Sequence, residues 1–169
     1  MEKDKVFKGK IKQSGIFNFK GFYEFLYDYW MDENYDVYET QYIEKVLDEN
    51  SKNVEIWWSA RKEISDYFKY EITGHWIILG MRKVKVQKDG KEISMDSGTL
   101  EITFEATLQK DYQNKWNKGS LKFLRKTYDK YIIKSRIEDH ELKLFQEANE
   151  TITQMKSFLA IEGQHAITY

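Results

Sequence analysis

Hydrophobic positions along this chain recur at two spacings, and each change of spacing marks a change of element. Near the N-terminus, "KVFKGKIKQ" sets Val6, Phe7 and Ile11 among lysines, the pattern of an edge strand whose charges discourage pairing with another chain. From Asn18 the spacing shifts to threes and fours. Phe19, Phe22, Tyr23, Leu26, Tyr29 and Trp30 then share one side of a helix, with Asn18 as its N-cap. "YDVYETQYIEKV" and "NVEIWWSARKEI" return to alternation rich in Val, Ile, Tyr and Thr, and "DENSKN" between them is a turn signal. A further strand carries Phe68, Tyr70, Ile72, Gly74, Trp76 and Ile78 on one face and Lys69, Glu71, Thr73 and His75 on the other, with Gly80 read as its end. "RKVKVQKDGKEISM" predicts a hairpin turning at "KDGK". "SGTLEITFEATLQKDY" then alternates Leu100, Ile102, Phe104, Ala106 and Leu108 with Thr99, Glu101, Thr103, Glu105 and Thr107.

The adjacent pair Trp57-Trp58 is informative because neighbouring side chains on a strand point to opposite faces. If Val54, Ile56, Trp58 and Ala60 face the core, Trp57 shares the outer face with Glu55, Ser59 and Arg61. After Gly119 the pattern predicts one helix over residues 120–161, capped by Ser120 and stopped by Gly163, with "QHAITY" (164–169) as a disordered tail. Leu121, Leu124, Tyr128, Tyr131, Ile132 and Ile137 form one apolar stripe; Leu142, Phe145, Ala148, Ile152, Met155 and Leu159 form another.

The order strand, helix, five or six antiparallel strands, long C-terminal helix resembles the helix-grip domains of the START-like superfamily (SRPBCC, the Bet v 1 and polyketide-cyclase group). The resemblance is one of architecture and no short motif carries it. It implies an α+β domain over residues 1–163, in which a curved antiparallel sheet of about six strands wraps the C-terminal helix. It also implies a cavity between sheet and helix for an apolar or aromatic small molecule or lipid. Trp58, Phe68, Tyr70, Trp76, Phe104, Tyr128 and Tyr131 are the side chains that would line it, their tyrosine hydroxyls supplying the polar contacts. The alternative use of the same rings is plain core packing. The predicted helix is too long for the sheet: ~60 Å at ~1.5 Å per residue, against ~25–30 Å across six strands. It either breaks near "IEDHE" and packs its second half on the outer sheet face, over Trp57, or projects and forms a homodimer through residues 139–160.

Composition narrows the chemistry. The chain has 169 residues, no cysteine and no proline, so disulfides and thiol chemistry are excluded. The N-terminus is charged, and no run is long and apolar enough for a membrane span, which predicts a cytoplasmic protein. A net charge of -1 conceals polarity: residues 24–49 hold nine acidic residues and one lysine, whereas residues 122–136 hold six basic residues and one aspartate. Lys122, Lys126, Lys130 and Lys134 recur at i, i+4, flanked by Arg125 and Arg136, and form a candidate surface for phosphates of nucleic acid or an anionic membrane, or for the acidic segment. His75, His140 and His165 lie far apart with no metal-ligand spacing, and no nucleophile or phosphate-loop motif is present. Glu101 and Glu105 share a strand face, but their alternation with threonines is that of a solvated surface. The expectation is a non-enzymatic binding domain without metal or cofactor. An interaction or scaffold protein working through the C-terminal helix and the polarised surface is the alternative.

Overall fold

The protein is described from a computed structural model covering residues 1–88, 90–116, 119 and 121–164, with the side chains of Lys88, Lys122 and residues 162–164 left aside. Ser120 and residues 165–169 of the expected tail lie outside the described residues. Eight elements follow in order: β1 (Glu2–Phe17), α1 (Phe19–Asp32), β2 (Asp36–Val46), β3 (Lys52–Glu63), β4 (Phe68–Lys88), β5 (Lys91–Lys110), α2 (Leu121–Tyr131) and α3 (Lys134–Gln164). The strands form one antiparallel sheet in the order β1-β5-β4-β3-β2. The α+β class is as expected, but the sheet has five strands where about six were predicted. The difference lies at Gly80. With φ +61 it forms a bulge between Leu79 and Arg82, and β4 resumes its pairing with β5 beyond it. The residues on either side of Gly80 are one strand.

The sheet has one buried and one open face. Val54, Ile56, Trp58 and Ala60 of β3, Tyr70, Ile72, Trp76 and Ile78 of β4, and Leu100 through Leu108 at alternate positions of β5 all point inward. Trp58 is 2% exposed, while Trp57 lies on the outer face, stacked on His75 at 4.7 Å. In one row across the sheet Gly74 stands between Trp58 and Phe104. From α1, Trp30 packs on both of those rings, at 5.8 Å from each centroid.

Helix α1 begins where the sequence predicted it, with the Asn18 side chain accepting a hydrogen bond from the Gly21 amide at 2.9 Å. Beyond its last residue, Asp32, and the Glu33 cap, Asn34 at φ +63 lets the Tyr35 amide reach back to the Trp30 carbonyl at 2.9 Å. Since β1 and β2 are the two sheet edges, α1 carries the chain across the inner face between them. Its buried residues Phe22, Leu26 and Trp30 follow from that crossing.

The single C-terminal helix is corrected to two. The chain breaks at Ile132-Ile133, several residues before "IEDHE" and without glycine or proline. Both Ile132 and Ile133 amides converge on the Tyr128 carbonyl, at 2.9 and 3.1 Å, and Ile133 turns into the core. Helix α3 then neither projects nor crosses the outer face. It packs on the inner face against β1 and β5, burying Leu144, Ala148, Ile152, Met155 and Leu159. Of the second apolar stripe, expected to be free for a homodimer through residues 139–160, Leu142 and Phe145 alone remain exposed. No helix among the described residues is long and apolar enough to cross a membrane.

Trp30→Ala is expected to cost about 3–5 kcal/mol in denaturant unfolding, because it empties the space above Gly74. A methyl at Gly74 itself would meet Phe104 at 3.1 Å and Trp76 Nε1 at 3.2 Å, so Gly74→Ala costs ~1–3 kcal/mol. Wild-type stability in either variant would show that the rings are loosely packed.

Candidate functional site

Two short irregular segments meet at the end of the layer formed by the sheet and α3. The first is the β3–β4 turn. The Ser65 hydroxyl accepts hydrogen bonds from the amides of Tyr67 and Phe68, at 3.2 and 3.1 Å, and fixes its shape. The second is the α2–α3 hinge at Ile132-Ile133. A polar clasp holds the two together. Arg125 is only 5% exposed; it donates to Glu2 at 2.8 Å and lies 3.6 Å from Asp111 and 3.9 Å from Asp129. Asp129 in turn accepts the Tyr67 hydroxyl at 2.5 Å. Trp116 stacks on Tyr128 at 5.4 Å and closes the side of the assembly.

Between turn and hinge opens a cleft of about 390 Å³ lined by Ile64, Ser65, Tyr67, Phe68, Tyr128, Ile133, Arg136, Asp139 and His140. Its inner wall is apolar and aromatic, and its lip carries Arg136, Asp139 and the His140 ring. His140 packs on Phe68 at 4.4 Å, and its Nδ1 is 2.8 Å from the Tyr70 hydroxyl. Deeper in, the Tyr35 hydroxyl donates to Glu147 at 2.7 Å, and Lys62 reaches both oxygens of the same carboxylate at 3.4 Å. Burial holds the His140 imidazolium below its ordinary range, and the charges of Lys143 and Arg136 add to it against Asp139. Burial likewise raises the tyrosines: Tyr70, assisted by Glu147; Tyr35, assisted by Glu147; and Tyr67, assisted by Asp129. At neutral pH the site therefore presents an uncharged imidazole beside the Arg136 guanidinium and the Asp139 carboxylate; the Tyr35 and Tyr67 hydroxyls already donate to Glu147 and Asp129, so Arg136 is the group suited to holding a ligand atom that accepts hydrogen bonds.

The residues predicted to line a cavity are divided by the structure. Phe68 and Tyr128 line the cleft, and Tyr70 adjoins it through His140. Trp58, Trp76 and Phe104 lie in the closed core under α1, Trp58 and Trp76 4.9 Å apart. Tyr131 is 71% exposed on the far side of α2. Ile64, Tyr67 and Ile133 carry no signal in the sequence reading, which sets Arg136 beside the lysine row and weighs His140 only as a metal ligand. For His140 a signal existed: Leu144 and Ala148, four and eight residues on, are buried, so His140 continues their stripe.

Elsewhere the candidates resolve into structure. Lys126, Lys130 and Lys134 are exposed, while the Lys122 side chain lies outside those described, and the break after α2 divides their row between two helices. Arg125 does not flank that row, being buried in the clasp. Among the described residues no ion pair joins segment 24–49 to segment 122–136. On the outer face Glu101 is held down to about 2 by hydrogen bonds from Lys10 and Lys12, and Glu105 is lowered by Lys5 and Lys8; neither is a proton donor at neutral pH. Burial raises Glu71, but Lys3, Gln109 and Arg61 outweigh it and keep the group ionised. His75 Nε2–H donates to the Glu55 carboxylate at 2.7 Å. A larger groove of about 520 Å³ runs beside the β2–β3 loop; its buried Asp96 is engaged by Lys83 at 2.7 Å and by the Phe19 amide at 3.3 Å. No cluster of metal-ligating side chains occurs among the described residues. Comparison with protein-family models, curated proteins and solved structures finds no match to this chain.

The lowered His140 makes a pH prediction. Its folded-state value lies below its unfolded one, so its contribution to stability is complete above the unfolded value near 6.5 and is lost as pH falls through the folded value. Thermal unfolding between pH 7 and 5 should show a decline that His140→Gln partly removes. A His140 ring titrating at or above 6.5 by NMR would refute the burial argument.

Proposed function

We propose that this is a helix-grip-like, non-enzymatic domain that binds an apolar or aromatic small molecule, lipid included, in the cleft between the β3–β4 turn and the α2–α3 hinge. The observation that carries the reading is the division of that cleft: an apolar wall of Ile64, Phe68, Tyr128 and Ile133 faces a polar lip that bears Arg136, Asp139 and the uncharged His140. Such a cavity orients an amphipathic ligand, its hydrocarbon inward and its acceptor group at the lip. Its volume is within the ~300–1,000 Å³ usual for small-molecule sites. The arrangement of elements supports the same reading, since the meander β2–β5, closed by β1 and covered by a long C-terminal helix, is the order expected of helix-grip domains. The site differs from the sequence expectation in lying at the end of the layer, because Trp30 and its partners fill the middle.

Two measurements test this. Native mass spectrometry of the freshly purified protein should show a retained small molecule. Anilinonaphthalene sulfonate, a rigid aromatic body with an anionic group, should bind with a fluorescence gain that falls about tenfold or more in affinity in Arg136→Gln/His140→Gln, in keeping with the loss of charge-assisted hydrogen bonds. Undiminished dye binding in that variant, together with a protein of bare chain mass, would sink the proposal.

A further inference from the structure

Helix α2 is amphipathic in the reverse of the usual sense. A surface helix ordinarily buries an apolar stripe and leaves its charges in water. Here the side turned to the protein carries one ring, Tyr128, and is otherwise polar, held by Arg125 and by Asp129, while the outward side carries Phe123 at 74% exposure, Leu124 at 51% and Tyr131 at 71%. Ile132, at 68%, extends the patch into the hinge. Among these rings lie exposed Lys126 and Lys130, the latter 5.2 Å over the Tyr131 ring. The helix has one acidic residue, Asp129, and that group is engaged by Tyr67. The outward surface of α2 thus offers apolar groups and cations with no exposed carboxylate of its own.

We propose that α2 and the hinge dock on an anionic membrane surface. The complement of such a patch is a layer that is apolar within and negatively charged at its boundary. Phe123, Leu124 and Ile132 would enter the headgroup–acyl boundary, and Lys126 and Lys130 would reach lipid phosphates, their stems lying along the apolar side chains. A nucleic acid would satisfy the lysines and leave the aliphatic groups in water. A second copy of this patch would bring like charges together. The arrangement of α2 also suits reversible attachment, since the helix is anchored from behind by the Arg125 clasp and its outward groups need no rearrangement to bind. The proposal is independent of whether the cleft holds a ligand.

Flotation with phosphatidylcholine vesicles, with and without phosphatidylglycerol, tests it. The protein should associate with the anionic vesicles alone, and less as salt rises. Lys126→Gln/Lys130→Gln should lower the partition coefficient roughly 25-fold, about fivefold per lysine near an anionic surface. Phe123→Ser/Tyr131→Ser should lower it roughly tenfold or more, and His140→Gln should leave it unchanged. All four α2 positions are exposed or solvent-facing, so matching thermal melts would confirm that the variants are folded. Equal binding to neutral vesicles, or binding indifferent to both α2 variants, would overturn the proposal. Absence of vesicle binding would also do so. If the Phe123/Tyr131 variant then turned a dimer into a monomer, the patch would belong to self-association; a lysine-dependent shift of RNA would assign it to nucleic acid.

Discussion

The missing side chain at Gly74 is the constraint on which the interior is built. Two rings flank it in the row across the sheet, Trp58 on one side and Phe104 on the other, and only an empty position between them lets Trp30 pack against both. That contact sets the height of α1 above the sheet. Trp30 also lies 3.5 Å from the Thr151 hydroxyl, so the indole that fits over Gly74 locates α3 as well. A second close approach at Gly9, where an added carbon would strike Ile152, brings α3 down on β1. With α3 placed at two points, His140 arrives beside Tyr70 at the end of the layer. The cleft is a remote result of packing at the centre.

The two faces of the sheet are stabilised by different physics. The inner face is aromatic and nearly dry, and its energy scales with area removed from water. The outer face is a mesh of ions: Glu101 bridges Lys10 and Lys12, and Glu105 bridges Lys5 and Lys8. Exposed pairs of this kind contribute little each. Their value lies in keeping a broad uncovered face hydrated. Threonines between the glutamates retain strand propensity without adding apolar surface.

Much of the sheet was legible because alternation is a local property. The inward sets of β3, β4 and β5, the opposite fates of Trp57 and Trp58, and the Asn18 cap all follow from patterns within a few residues. The errors have a common origin in tertiary decisions that leave a weak local trace. Gly80 looked like a strand end because a bulge and a terminus use the same residue, and only the continued pairing with β5 separates them. The break between α2 and α3 carries no breaker; Ile133 makes it by turning inward. The apolar stripe read along residues 121–132 is real in sequence, yet its direction was set by Arg125, whose partners are Glu2 of β1 and the buried Asp111 just past β5. The cleft draws on a turn, a hinge and one helix face, and no single window of sequence contains it.

The pairing of β1 with β5 also has a consequence for the newborn chain. Glu2 lies opposite Lys110 and Phe17 opposite Asp96, so β1 leaves the ribosome well before β5 and must wait for the rest of the sheet before it can zip into place. During that interval the meander β2–β5 can assemble with the flank of β5 unpaired, an edge open to any other extended chain. The lysines that later neutralise Glu101 and Glu105 are then absent from them, and the two bare carboxylates repel the same edge of a neighbouring nascent copy. The glutamates that end in ion pairs are, until β1 arrives, like charges beside an open edge.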